Sequence, residues 1–224
     1  IRLDMSEYAN PDGVDRILQS GAKTFIEDVY THPFSIVLLD EFEKANEKIL
    51  NLFLQVLDDG RLTDDQGRTV SFVSTIIIAT SNAGSEFIRQ SLVSSTPVDS
   101  KTLLDYLQKN NIFRPELLNR FDDIVVFKPL TQGEITQITN LLLIDLIQRI
   151  AKQDITLNFD PAAVEKIAKG GFNEEFGARH LKRFIQDNIE DDIAEKILSG
   201  KIKRGNKLFV TLNSVGNLNF FKAS

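Results

Sequence analysis

Short, continuous apolar runs alternate with stretches of helical period over the first 129 residues. Ser35-Ile36-Val37-Leu38-Leu39 ends abruptly in Asp40-Glu41. A β-branched and leucine run bounded by polar residues reads as a buried parallel strand, with the two acids at its C-terminal tip. Residues 75–79 read as a second buried strand, ending at Thr80-Ser81-Asn82, and residues 124–127 as a third. Residues 1–4 look like the end of another strand, followed by a loop over 5–8. Helical patterns cover 12–20, 24–31 and 43–57, the last with Ile49, Leu50, Phe53, Leu54 and Leu57 on one face. Asp58-Asp59-Gly60 stops that helix, and 61–71 read as a polar hairpin. Helices are expected over 84–92, from 103 to 107, and over 113–119 with a break at Pro115. A Ser/Thr/Pro loop fills 93–100.

Lys128-Pro129-Leu130-Thr131 marks a boundary. A helix over 134–152 follows, with Thr131 as N-cap and Glu134 three residues on, a capping box. Ile155, Leu157 and Phe159 alternate, so 154–159 predict a half-exposed strand. Asp160-Pro161 opens a helix that ends at Gly170-Gly171. Residues 181–198 form a long amphipathic helix closed by Gly200, and 208–212 alternate again as a strand. The expected architecture is an α/β core with a parallel sheet and flanking helices over 1–129. A small α+β domain follows over 130–224.

Composition narrows the function classes. The chain is 42% hydrophobic and 26% charged, enough to build a real core. Net charge is −6 with acids and bases interspersed, so no basic face for nucleic acid is expected. There is no cysteine and only two histidines, His32 and His180, far apart in sequence. A disulfide framework, a thiolate metal site and a zinc site are therefore not expected. The longest apolar run, 141–144, is far too short to span a bilayer. The chain opens at Ile1 in strand-like sequence, which reads as a piece of a longer protein.

The acid-tipped strand is the chemically suggestive stretch. Open α/β sheets bind ligands at the C-terminal ends of their strands. There an acid can hold Mg²⁺ directly or through water. A second acid beside it can polarise a water for attack on a phosphate. The same residues also fit a plain buried strand followed by a solvated acidic helix start. Three other features share the order of the chain: Asn82 after the second strand, Arg114 and Arg120 before the third, and Gly177-Ala178-Arg179 opening the long helix. Singly, each is an ordinary turn residue or surface charge.

Together with longer runs they carry a resemblance. These runs are Asp4-Met5-Ser6-Glu7-Tyr8, the strand through Lys44, and Leu54-Gln55-Val56-Leu57-Asp58-Asp59-Gly60-Arg61-Leu62-Thr63. Gln66-Gly67-Arg68-Thr69-Val70, Thr80-Ser81-Asn82, Phe113-Arg114-Pro115-Glu116 and Asn119-Arg120-Phe121-Asp122 continue them. To about residue 213 the chain resembles the second ATPase module of the Clp/Hsp100 class of AAA+ protein unfoldases, the ClpB and ClpC type. The resemblance implies that Asp40 is the Walker B acid associated with Mg²⁺ through water, and that Glu41 activates the attacking water. It makes Asn82 the sensor positioning that water. Arg120 becomes the arginine finger reaching the ATP of a neighbouring subunit, and Arg179 the second sensor on the small domain. It implies ATP and Mg²⁺ as ligands, a ring of subunits (a hexamer), polypeptide substrates and a cytoplasmic location. Arg114 is implied as a structural or secondary interface residue.

The chain departs from that pattern in three places. No phosphate-binding loop G-x-x-x-x-G-K-[ST] occurs, and Gly21-Ala22-Lys23-Thr24 lacks the required glycines. The resemblance places that loop and the first, central strand of the sheet ahead of Ile1. The 224 residues are expected to leave two unpaired sheet edges with much exposed apolar surface, and to be inactive alone. No Gly-Tyr-Val-Gly pore loop lies between Ser20 and Phe25. No Ile/Leu-Gly-Phe/Leu peptidase-docking tripeptide lies over 83–112. An ATP-driven unfoldase or disaggregase module is the first reading. A truncated or degenerate AAA+ domain serving assembly without catalysis is the alternative. A DNA-directed motor is disfavoured by the acidic balance and by the runs at 59–63 and 66–70.

Overall fold

The computed structural model describes residues 1–93, 98–173 and 177–223. The chain divides into two compact units, Ile1–Lys128 and Pro129–Ser224. The first runs β1 (Arg2–Asp4), α1 (Gly13–Leu18), α2 (Phe25–Thr31), β2 (Ile36–Asp40) and α3 (Glu47–Asp59). It continues with β3 (Arg61–Thr63), β4 (Thr69–Ser71), β5 (Ile76–Ala79), α4 (Ser85–Val93), α5 (Ser100–Lys109) and α6 (Pro115–Leu118). β1, β2 and β5 form a parallel sheet in that order. Asp4 lies opposite Asp40, and Leu39 opposite Ala79, so the three strand tips stand side by side.

α3 shows how local chemistry sets an element. Asn46 caps it by accepting the Lys48 N–H at 3.1 Å, and Gly60 ends it in the left-handed region at φ 63°. Ile49, Phe53 and Val56 recur at helical spacing and are buried. The helix expected over 43–57 therefore starts later. Phe42–Lys44 form a 3-10 turn and Ala45 is extended, because the Asn46 N–H is drawn to the Tyr8 carbonyl at 3.0 Å. Phe53 sits among aromatic rings, 6.1 Å from both Phe25 and Phe42. Phe53→Ala is expected to destabilise this unit by about 3–5 kcal/mol, by lost transfer energy plus a cavity. Denaturant unfolding of the chain measures it; a cost below about 1 kcal/mol would remove Phe53 from the centre of the core.

The hairpin β3–β4 pairs as expected, with Leu62 and Val70 buried. Its turn is built by Asp64, which accepts the N–H groups of Gln66 and Arg68 at 3.0 and 2.7 Å. The Arg68 guanidinium pairs with Asp64 and Glu27 and lies over the Tyr30 ring. Burial alone raises the Asp64 carboxyl, but these donors outweigh it and hold the group below its ordinary value.

Further expectations in this unit are corrected. Residues 5–8 are not a loop but a 3-10 turn, Met5–Tyr8, in which Asp4 accepts from Ser6 and Met5 and Tyr8 are buried. Residues 124–127 are not a buried strand. They are irregular, with Val125 and Phe127 exposed at 69% and 86%. An apolar run becomes a strand only where a neighbour pairs its backbone. Among the described strands β1 and β5 each pair only with β2, so each is a sheet edge. Ile76 and Ile78 on β5 are exposed, so residues 75–79 are a strand but not the buried one expected. Residues 94–97 of the Ser/Thr/Pro stretch expected over 93–100 lie outside the described residues.

The second unit runs α7 (Gln132–Ala151), β6 (Thr156–Phe159), α8 (Pro161–Gly171), α9 (Gly177–Ile185), α10 (Asp191–Leu198), β7 (Lys207–Leu212) and β8 (Leu218–Ala223). The capping box on α7 forms: the Glu134 N–H reaches Thr131 Oγ1 at 3.3 Å and the Thr131 N–H reaches Glu134 Oε2 at 2.7 Å. The long helix expected over 181–198 starts earlier and contains a π turn, Gln186–Glu190, between α9 and α10. Leu143, Leu146, Ile167, Leu181, Ile189 and Ile193 fill the core. β6 pairs parallel and β8 antiparallel to β7. β8 was not expected. Asn213 accepts the N–H groups of Val215 and Asn217, and Gly216 takes φ 78°, which turns the chain back. Among the described residues no helix is long and apolar enough to cross a membrane.

Candidate functional site

The site is built at the tip of β2. The strand's pairing with β5 sets Leu39 against Ala79, so Asp40 and Thr80 leave the sheet as neighbours. Thr80 Oγ1 donates to Asp40 Oδ1 at 2.5 Å and accepts the Glu41 N–H at 3.4 Å. The Thr80 carbonyl accepts the Phe42 N–H at 2.9 Å, and the Leu39 carbonyl accepts the Thr80 N–H at 2.9 Å. One threonine thus clasps the carboxylate of Asp40, the N–H of Glu41 and the backbone on either side of the two acids.

On its other side Asp40 is held by Arg2 from β1, whose guanidinium reaches Oδ2 at 2.5 Å. Asp4 stands beside Asp40 in register. The Ser6 hydroxyl and N–H keep Asp4 below the usual carboxylate range, against burial and the charge of Asp40. Arg2 therefore sits where two carboxylates adjoin.

Glu41 takes φ 55° and ψ 48°, the left-handed region. That conformation costs a non-glycine residue about 1–3 kcal/mol and is concentrated at functional sites. Here it breaks the strand's alternation and turns the chain into the 3-10 turn at Phe42–Lys44, closed by the Lys44 N–H on the Glu41 carbonyl at 2.8 Å.

Asn82 is exposed in the loop after β5. Its N–H is accepted by Glu43 Oε1 at 3.3 Å, and its carbonyl accepts the Ser85 N–H at 3.1 Å at the start of α4. Asp40, Glu41 and Asn82 are thus brought together by adjacent strand ends. Arg120 follows α6 and is half-exposed. Its guanidinium pairs with Asp58 at the C-terminal end of α3, and Phe121 next to it packs edge-on against Phe42 at 6.3 Å. Arg114 pairs with Glu47 and reaches Asn51 Oδ1 at 3.4 Å, both on α3. Arg179 is exposed on α9 in the second unit.

Three residues of the site were not picked out from the sequence: Arg2, Thr80 and Glu43. Thr80 follows a legible strand, but its partner is set by strand register, which no local pattern encodes. Among the described residues no cluster of three or more His, Cys, Asp or Glu could hold a metal by itself. Mg²⁺ characteristically takes one or two carboxylates, several waters and substrate phosphates. Asp40 at an exposed strand tip suits that donor set.

Comparison with known proteins agrees with this geometry. Residues 1–124 match the family model described as AAA domain (Cdc48 subfamily). Residues 130–210 match the C-terminal, D2-small domain of ClpB protein. The chain is 44% identical over 221 residues to the chaperone protein ClpB of Agrobacterium fabrum, covering 94% of this chain and 25% of the relative. It is 41% identical over 223 residues to ClpB of Aquifex aeolicus, covering 92% and 22%. It is 40% identical over 227 residues to the chloroplastic ClpB3 of Arabidopsis thaliana, covering 94% and 23%. The chain spans about a quarter of the length of these relatives. With an α/β unit and a small α+β unit matched in that order, the chain belongs to the AAA family, and within it to the second ATPase module of the Clp/Hsp100 class.

Proposed function

We propose that the chain is the hydrolytic half of an ATP-driven protein-remodelling module. In the complete protein it would act as a ring, a hexamer, on polypeptide substrates in the cytoplasm. The observation that carries the proposal is the Thr80 clasp, which fixes Asp40 and the strained Glu41 beside the loop bearing Asn82.

In this reading Asp40 would hold Mg²⁺ through water, and the bound ion would supply positive charge to the phosphates. Glu41 Oε accepts a proton from the attacking water. The Asn82 side-chain amide orients the same water. Arg120 leaves Asp58 and lies against the γ-phosphate of the neighbouring subunit, where charge develops. Arg179 serves the γ-phosphate of its own subunit from the small domain. Phosphoryl transfer asks little covalent chemistry of the protein, so positioning and charge account for the catalysis.

Asn82→Ala in the complete protein is expected to lower kcat for ATP about 100-fold, the effect of removing one preorganised polar contact. Nucleotide affinity, read by titration with a fluorescent ATP analogue, should change little. An unchanged kcat would show that Asn82 does not address the water. The assembly-only alternative predicts that no substitution at Asp40, Glu41 or Asn82 alters turnover.

A further inference from the structure

We propose that Glu43 is a positioning residue that sets the height of the Asn82 loop over the strand tip. The inference rests on the reading of Asn82 as the water-orienting residue. Glu43 lies in the 3-10 turn Phe42–Lys44, directly behind Glu41, and is partly buried. Its Oε1 accepts the backbone N–H of Asn82 at 3.3 Å. Its Oε2 is shut off from solvent with no hydrogen-bond partner among the described residues.

A buried carboxylate oxygen without a donor is a standing penalty, and native structures hold few of them. The penalty is offset where the other oxygen makes a contact the site requires. Thr80 gathers several ties between the two strand ends: the Asp40 carboxylate, the Glu41 N–H, the Phe42 N–H and the Leu39 carbonyl. They fix the start of the loop but not residue 82. Glu43 carries a side chain past Thr80 to Asn82 itself. A carboxyl group suits the task, since its oxygen accepts a backbone N–H at this reach. Because Glu43 and Glu41 are two residues apart on one turn, the contact couples the water-orienting amide to the water-activating acid through a single rigid segment.

The test is a double-mutant cycle on ATP hydrolysis by the complete protein. Glu43→Ala is expected to lower kcat about tenfold, the worth of one hydrogen bond, with KM for ATP within about twofold. Glu43→Gln, which keeps an acceptor oxygen at the same reach, should recover most of kcat. Glu43→Asp keeps the charge but is one methylene too short, so it should behave like Glu43→Ala; it carries the test if the alanine variant does not fold. In an Asn82→Ala background, substitution of Glu43 should cost nothing further, because the residues act as a unit. Independent, multiplying losses, or a rise in KM alone, would overturn the positioning role while leaving Asn82 intact. An Asn82→Ala protein with unchanged kcat would instead remove the sensor reading on which the inference stands.

Discussion

Glu41→Gln in the complete protein is expected to stop ATP turnover while leaving ATP bound. The amide matches the carboxylate in shape and cannot take the proton of an attacking water. Positioned proton transfer contributes about 10²–10⁴-fold to rate, so turnover should fall by that factor. The backbone around it should not move. The left-handed turn at Glu41 is held by Thr80 and by the Lys44 N–H, neither of which touches its side chain carboxylate. Phosphate release under saturating ATP, together with labelled ATP retained on rapid filtration, reads both halves of the prediction. Undiminished hydrolysis removes Glu41 from the mechanism.

Arg120→Ala is the second large effect, and it should appear in the wrong subunit. An arginine finger contributes about 10³–10⁵ to the rate of phosphoryl transfer. In this chain the guanidinium rests on Asp58, with side-chain exposures of 50% and 35%. Such an exposed pair contributes about 0–1 kcal/mol, so it releases readily and its loss barely affects folding. Rings mixed from wild-type and Arg120→Ala subunits should lose activity more steeply than the fraction of variant, because each variant subunit disables its neighbour's site. Activity in proportion to the wild-type fraction would show that Arg120 acts in its own subunit or not at all. Equal thermal stability of the two proteins separates the loss from unfolding.

The parts of this architecture legible in the sequence are those written in local pattern. The run 36–39 is apolar on both faces and ends in two charges, so strand and tip are read together. Thr131 and Glu134 announce a helix start because their side chains satisfy each other's backbone N–H groups. Family resemblance, carried by long runs such as 54–63, picked out Asn82, Arg120 and Arg179, which singly look ordinary. Pattern failed where structure depends on a partner distant in sequence. Residues 124–127 have the composition of a strand, yet the β5 edge stays unpaired and Phe127 faces solvent. β8 is a strand because β7 pairs it and Phe209 stacks on Phe221 at 5.5 Å, a contact no window of ten residues contains. The Thr80 clasp, the Arg2 contact and the Glu43 tie all follow from register between β1, β2 and β5. The left-handed backbone at Glu41 has no residue signature, since Glu is not a residue that favours it.

The most direct test of the site is where the transferred phosphoryl group sits. A structure of the complete protein with Mg²⁺, ADP and aluminium fluoride should place the in-line water within about 2.6–3.2 Å of both a Glu41 carboxylate oxygen and the Asn82 amide. Asp40 should then face a water on the Mg²⁺. A fluoride group bound with Glu41 and Asn82 both out of hydrogen-bond reach of that water would contradict the account.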